Sequence, residues 1–379
     1  MRNILVIGGG KIGSVVADLL VDTPEDGGYR VTVADRSVAA LAQIAPLGHA
    51  RLDTLRLDVT DPAQLRDAMQ GRFAVLSAAP YHLTLKIAQA AREVGVHYLD
   101  LTEDVASTRA IRALAQGASS AFIPQCGLAP GFISIVAADL ARRFDSLDSV
   151  RMRVGALPAY PSNALNYNLT WSTEGVINEY CEPCEAIVDG RLCSVPALEE
   201  REEFSLDGVL YEAFNTSGGL GTLCETLAGK VRTLNYRTIR YPGHAAIMKA
   251  LLHDLRLKDR RDVLKDILEQ SLPATMQDVV IVFVTVAGLR DGRLQQETYA
   301  RKIYSQVLAG KRRSAIQITT ASSLCTMLDM LVESTNAPAD AQATLPRTGF
   351  VRQEEVPLAA FLANRFGRVY AADALAHAA

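Results

Sequence analysis

The chain opens with Met-Arg-Asn, then Ile4-Leu5-Val6-Ile7, then Gly8-Gly9-Gly10-Lys11-Ile12-Gly13. Nothing else in it restricts the fold so strongly. A short, mostly β-branched run suits a strand buried on both faces of a parallel sheet. Ile12, Val15, Val16, Leu19 and Leu20 then recur at helical spacing. The glycines fit G-x-G-x-x-G at a strand-to-helix turn. Gly8 allows the tight turn, Gly10 lets the backbone approach a pyrophosphate, and Gly13 lets helix and strand pack closely. Beyond Lys11 and Ile12 the helix N-terminus offers unpaired N–H groups and positive partial charge to that anion. A second strand, Arg30–Ala34, ends at Asp35, 22 residues after Gly13. Asp35 is placed to accept hydrogen bonds from the adenosine ribose. Its carboxylate repels a 2′-phosphate, so NAD is expected over NADP, although Arg36 could serve that phosphate or stack on adenine.

The alternation continues. Strands are predicted at Leu55–Asp58, Phe73–Ser77, His97–Leu101 and Ala121–Pro124, and helices from Asp61-Pro62 through Met69, at Leu83–Val94 and at Glu103–Ala115. This pattern predicts an α/β fold whose N-terminal part is a doubly wound parallel sheet of the Rossmann type. Asp58 and Val59 would lie beside the adenine, with a turn involving Thr60 and Asp61 as the other reading of Asp58. Ala78-Ala79-Pro80 are small enough to let the cofactor pass toward its nicotinamide end. After Gly127 the pattern changes. A helix is predicted over Phe132–Arg143 and a strand over Val150–Leu157. Val279–Val286 and Thr298–Val307 flank Asp291-Gly292, a hairpin turn. Ala315–Thr319 reads as a further strand, and Thr319–Val332 as a helix capped by Thr319 or Thr320. The tail from Pro338 ends in a short helix, Leu358–Phe366. The expected domains are 1–126 (NAD-binding), 127–318 (an α+β domain with a mixed sheet, for substrate and dimerisation) and 319–379.

Composition excludes several classes. Apolar residues make up 49% and charged residues 21%, which argues against extensive disorder. Lys and Arg number 39 against 42 Asp and Glu, so no polyanion footprint is present and nucleic acid is not an expected partner. The longest apolar run, Val279–Leu289, is too short for a bilayer, so neither a membrane span nor a membrane partner is expected. The N-terminal run is too short for a secretory signal, and the expected location is the cytoplasm. Cys181-Glu-Pro-Cys184 has no second pair or nearby histidine, so the six cysteines are read as free thiols. His49, His82, His97, His253 and His377 do not converge, and no metal site is expected.

Five strings go further: Ser77-Ala-Ala-Pro80, His97-Tyr-Leu-Asp100, Cys126-Gly-Leu-Ala-Pro-Gly131, Trp171-Ser-Thr-Glu-Gly175 and Thr238-Ile-Arg-Tyr-Pro-Gly-His244. With them the chain resembles the saccharopine dehydrogenase and lysine 6-dehydrogenase group of amino-acid oxidoreductases over nearly its whole length. The resemblance implies a Rossmann domain, a substrate domain with a mixed sheet, and C-terminal helices returning to the first domain. It also implies oxidation of a C–N bond by nicotinamide. Saccharopine-handling members typically carry Arg where Glu174 stands, an Asn-Arg-Asp-Ser string where this chain reads Asn215-Thr-Ser-Gly218, and often Asp at the position of Ala129. Such arginines suit a substrate with several carboxylates. Their absence makes the chain look closer to lysine 6-dehydrogenase, with Glu174 suited to an ammonium.

Asp100, at the end of a strand facing the cofactor crevice, is the candidate to bind ammonium or relay protons, or else to cap the following helix. Glu103 and Asp104 read as ordinary first-turn carboxylates. Arg240, with Tyr241 beside it, is the candidate clamp for a substrate carboxylate, or else a structural ion pair. His244 opens a helix, Ala245–Leu255, where the dipole favours a neutral base. Tyr167 and Trp171 could wall an aliphatic chain or simply pack. The expected function is NAD-dependent oxidation of the terminal amine of L-lysine to the semialdehyde with release of ammonia. A saccharopine- or carboxyspermidine-type dehydrogenase and a non-catalytic dinucleotide sensor are the alternatives. Val279–Val286 is apolar on both strand faces, from which a homodimer, or a dimer of dimers, is expected.

Overall fold

A computed structural model describes residues 1–25, 28–44, 49–338 and 343–371. His377 and the end of the predicted C-terminal domain lie outside the described residues. The chain divides into two compact units. The first holds Met1–Phe132, Leu308–Lys311 and the described residues from Gln317 onward; the second holds Ile133–Val307 and Arg312–Ile316.

In the first unit strands and helices alternate: β1 (Arg2–Ile7), α1 (Gly13–Val21), β2 (Tyr29–Asp35), α2 (Val38–Ile44), β3 (Leu52–Arg56), α3 (Pro62–Met69), β4 (Ala74–Ser77), α4 (Tyr81–Val94), β5 (His97–Asp100), α5 (Val105–Ala115) and β6 (Ala121–Ile123). The sheet runs β6-β5-β4-β1-β2-β3, all parallel, and the C-terminal pair Gly349–Phe350 adds a seventh strand beside β6. Ile4–Val6 are fully buried, as a strand covered on both faces requires. Asp61 caps α3 through the amides of Ala63 and Gln64, with Pro62 in the first turn. The third strand lies earlier than the sequence suggested. Pairing with β2 couples Val31 to Leu52 and Asp35 to Arg56, and Leu57, buried just beyond the ladder, had drawn the periodic reading forward. From Gln317 the C-terminal segment packs on this unit: the Ser323 hydroxyl donates to the Gly127 carbonyl, and Tyr370 stacks on Phe132.

The second unit contains most of α6 (Phe132–Ala141), then β7 (Ser146–Pro158), α7 (Thr173–Cys181), β8 (Cys184–Val188), β9 (Arg191–Val195), β10 (Glu202–Leu206), β11 (Val209–Asn215), α8 (Leu223–Thr226), β12 (Val231–Arg240), α9 (His244–Lys249), α10 (Arg261–Ser271), β13 (Asp278–Arg290) and β14 (Arg293–Tyr304). Its sheet runs β10-β11-β12-β7-β13-β14, with β8 and β9 attached at β12. Only β7 and β12 pair in parallel, so the sheet is mixed. Asp291 and Gly292 both take positive φ (52° and 69°), as a type I′ hairpin turn needs. Val279–Val282, Val284 and Val286 are buried within this one chain. That burial removes the premise from which a partner subunit was expected.

The predicted strand Ala315–Thr319 does not form. Residues Ala315–Asn336 are one helix, α11. The Asp278 carboxylate, at the start of β13, accepts from the Ala315 and Ile316 amides at 2.5 and 3.0 Å. A distant side chain therefore starts the helix, and neither Thr319 nor Thr320 is its cap. α11 is long and apolar enough to cross a membrane by those two criteria alone, and 89% of its most apolar window is buried. Removing this cap should be measurable. Asp278→Ala leaves two amide donors without their acceptor and should cost about 1–2 kcal/mol; denaturant unfolding that shows no loss would exclude Asp278 as the cap.

Candidate functional site

Gly8 adopts φ +106°, and a Cβ there would lie 2.6 Å from the Ala78 carbonyl oxygen. A Cβ on Gly13 would overlap the Gly8 carbonyl oxygen, whereas nothing lies within 4 Å of where a Gly10 Cβ would stand. The protein itself requires the first and third glycines. The second leaves open space at the helix N-terminus, which fits a dinucleotide pyrophosphate. Asp35 braces the loop: its Oδ2 accepts from the Gly9 amide and its Oδ1 from the Ser37 amide, both at 2.7 Å. Each oxygen keeps a lone pair for a ribose hydroxyl. Arg36 is exposed beside it. Lys11 is exposed too, and its carbonyl and Ile12 lead into α1. Asp58 lies past the end of β3, where it accepts from the amide and hydroxyl of Thr60. Those bonds hold its carboxyl below the usual range. Val59 packs on the core, Ala78 donates its amide to Ile7, and Pro80 precedes α4.

Asp100 closes β5 and is buried. Its Oδ1 accepts from the Thr102 and Gln125 amides at 2.9 Å, and its Oδ2 from the Tyr98 hydroxyl at 2.8 Å. Burial pushes its carboxyl up to about 6, and these bonds hold it from rising further. Asp100 thus ties the crest of the sheet together. The cap of α5 is Asp104, which accepts from the Ser107 amide. Glu103 lies one residue before that cap, outside the helix, half-buried, with desolvation pushing it up to about 7. It is the titratable group the sequence reading passed over. Cys126 is buried and its thiol is pushed up by burial, as suits a small apolar residue.

A raised carboxyl weakens folding once it ionises. The penalty for Asp100 is absent below the unfolded pKa of ~3.9 and complete above about 6, so stability is lost as pH rises through that window. Asn fits the same bonds, its oxygen accepting both amides and its nitrogen donating to Tyr98. Asp100→Asn should therefore stabilise the protein by up to ~3 kcal/mol at pH 7 and by only about 0.5 kcal/mol at pH 4. Denaturant unfolding at the two pH values checks this, and an equal shift at both would remove the linkage.

In the second unit Arg240 ends β12, and its side chain is 2% exposed. Its Nε donates to the Tyr180 hydroxyl at 2.9 Å and its Nη1 to the Ile239 carbonyl at 2.8 Å. The guanidinium lies 4.9 Å from the Tyr167 ring centroid. Burial works against its charge, but Tyr180, Tyr167 and Glu179 favour the cation and the pKa is raised. Among the described residues Nη2 has no hydrogen-bond partner. His244 is buried, with Nδ1 2.8 Å from the Leu165 carbonyl and Nε2 3.1 Å from the Tyr180 hydroxyl. Burial, then Arg240, lowers its pKa to about 3. It is neutral, as expected, but both ring nitrogens are occupied and it is no free base.

Several expectations change in this unit. Glu174 lies in a half-exposed pair with Lys265 at 2.5 Å, because the first turn of α7 faces α10 there. It is not a buried partner for an ammonium. Tyr241 follows Arg240 in extended chain and takes the opposite face, where it stacks on Tyr211 and donates to the Pro158 carbonyl. Trp171, partly buried, packs against Gly175, where a Cβ would meet its ring, and against a core cluster, as the packing alternative for it expected. The helix after His244 runs only to Lys249 before a π turn, Ala250–Asp254. Among the described residues the buried carboxylates of this unit are Glu179, Glu212 and the helix-capping Asp278, none of which a motif had marked. Among the described residues no group of three or more His, Cys, Asp or Glu is placed to hold a metal.

Known proteins agree with this architecture. The saccharopine dehydrogenase NADP binding domain matches residues 4–123 and the saccharopine dehydrogenase C-terminal domain matches residues 127–363. The chain is 21% identical over 334 residues to a saccharopine dehydrogenase [NADP(+), L-glutamate-forming] of Pyricularia oryzae, covering 82% of this chain and 72% of that one. It is 22% identical over 200 residues to the mitochondrial alpha-aminoadipic semialdehyde synthase of Mus musculus, of which it spans 21% while 51% of this chain is covered. Apo saccharopine dehydrogenase (L-Glu forming) from Saccharomyces cerevisiae shares the fold, with a TM-score of 0.73 at 18% identity over 95% of this chain and 96% of the other. The homospermidine synthase of Legionella pneumophila, solved with NAD, has a TM-score of 0.65 at 12% identity over 98% and 90%. With both domains matched in order, the chain belongs to the saccharopine dehydrogenase family of dinucleotide-dependent amino-acid dehydrogenases.

Proposed function

We propose that this protein oxidises the terminal amine of L-lysine to the imine with NAD, and that water hydrolyses the imine to the semialdehyde and ammonia. The carrying observation is Arg240, a buried guanidinium walled by tyrosines, with Nη2 uncommitted. One such fork suits one α-carboxylate. A nicotinamide dinucleotide supplies the hydride acceptor. The Gly8–Gly13 loop and α1 bind its pyrophosphate, and Asp35 receives its ribose and disfavours a 2′-phosphate. An amine must lose a proton before its lone pair can expel hydride.

NADP is the second reading for the cofactor, favoured by the name of the matched domain and by exposed Arg36. Saccharopine-type chemistry is the second reading for the substrate, favoured by the names of the relatives and by the loss of Glu174 as an ammonium partner. The proposal includes a cytoplasmic location and a homodimer joined along edge strand β14, with exposed Leu294 and Tyr304; light scattering near 40.9 kDa would exclude the dimer. The decisive test is reduced-dinucleotide formation from lysine, saccharopine and diamines with NAD and with NADP. Preference for saccharopine overturns the lysine reading, tighter NADP binding overturns the role of Asp35, and binding without turnover leaves a dinucleotide sensor.

A further inference from the structure

Every hydrogen bond around Arg240 has a forced direction. The Leu165 carbonyl can only accept, so His244 carries its proton on Nδ1. Nε2 is then bare and accepts from the Tyr180 hydroxyl. That hydroxyl, its proton given to the imidazole, accepts from Arg240 Nε–H. Moving the imidazole proton to Nε2 would leave Nδ1 and the Leu165 carbonyl as two acceptors face to face, and the guanidinium Nε–H can only donate. Tyr180 is therefore the link through which the imidazole fixes the guanidinium.

The imidazole is fixed in turn by Glu212, a carboxylate 1% exposed. Its Oε1 accepts from the Ala245 amide at 2.7 Å and its Oε2 from the Gly243 amide at 3.1 Å. Arg201 approaches Oε2 from the exposed side at 3.3 Å. Gly243 has φ +96°, so the turn doubles back sharply before His244. Glu212 stands directly opposite Arg240 in the β11–β12 ladder. The segment 240–245 is thus held at one end by strand pairing and at the other by the side chain across from Arg240, with His244 between them.

We infer that Glu212 and Tyr180 are positioning residues that hold Arg240 in the orientation that binds a substrate α-carboxylate, an inference that rests on the reading of Arg240 above. Neither touches the reacting atoms. Tyr180→Phe keeps the ring but removes the acceptor for Nε and the donor to His244. Glu212→Gln keeps the shape but sets an N–H against a backbone amide.

Calorimetry on the dinucleotide-loaded protein compares L-lysine with 1,5-diaminopentane, which lacks only the carboxylate. Each variant is expected to bind lysine about tenfold more weakly, ~1.4 kcal/mol, with diamine and dinucleotide affinities unchanged. Equal weakening toward both amines in Tyr180→Phe, or none, overturns the positioning role. If Glu212→Gln does not fold, Tyr180→Phe decides for the link and Glu212→Asp, too short to reach both amides, decides for the turn. Arg240→Met is the separate control: discrimination that survives it overturns the clamp itself, and a wild type that binds no α-amino acid overturns the reading beneath both.

Discussion

Replacing Arg240 by methionine should raise the KM for an amino-acid substrate by two to three orders of magnitude while leaving the dinucleotide KM unchanged. Truncating one partner of a buried, hydrogen-bonded charge pair costs about 2–5 kcal/mol, and ~1.4 kcal/mol is one decade. Arg240 is 2% exposed, so water cannot replace it as a partner for the carboxylate. Lysine at this position keeps the charge but loses the planar fork and its second donor, so Arg240→Lys should fall between the two. Steady-state kinetics with each substrate varied separately checks the result. A KM that stays within threefold in Arg240→Met would mean that the guanidinium is only a structural partner of Tyr180 and Glu179.

Two glycine substitutions should separate folding from cofactor binding. Gly13→Ala puts a methyl group into the Gly8 carbonyl, a backbone atom that cannot rotate away. Overpacking of this kind costs about 1–3 kcal/mol, roughly 2–4 °C of Tm per kcal/mol, and it displaces the turn as well. Gly10→Ala meets nothing within 4 Å, so its Tm should match the wild type, yet the added methyl occupies the approach to the helix N-terminus. Dinucleotide affinity should then fall about tenfold or more, ~1.4 kcal/mol. Thermal unfolding and a dinucleotide titration on both variants give the test. A Gly10→Ala protein that binds the dinucleotide normally would remove the pyrophosphate from this loop.

The dinucleotide half was legible because its rules are local. Gly8, Gly10, Gly13 and Asp35 sit at offsets set by one turn and one strand, and Asp61-Pro62 marks a helix start by capping chemistry alone. The second half was legible as a pattern change, a hairpin turn and three motif strings, but not in which side chains those strings bring together. Glu174 stands in a string that elsewhere carries a functional arginine, but the side of α7 that meets α10 gives it Lys265 instead. Glu103 looked like a first-turn carboxylate until the helix proved to start two residues later, leaving it half-buried outside the cap.

The sequence by itself determined the parallel sheet and the phosphate-binding turn, because apolar period, glycine spacing and capping residues act within a few positions of one another; the family was legible through the resemblance of five short strings. Tertiary structure alone decided the rest. Asp278 starts a helix 37 residues later, where local propensity had read a strand. Glu212 reaches across a strand pair to set the turn before His244, and Tyr180 from a separate helix joins His244 to Arg240. The physical reason is common to all three. A buried polar side chain must be hydrogen-bonded, and which partner meets that need depends on what the fold brings within 3 Å, a distance that sequence separation does not encode.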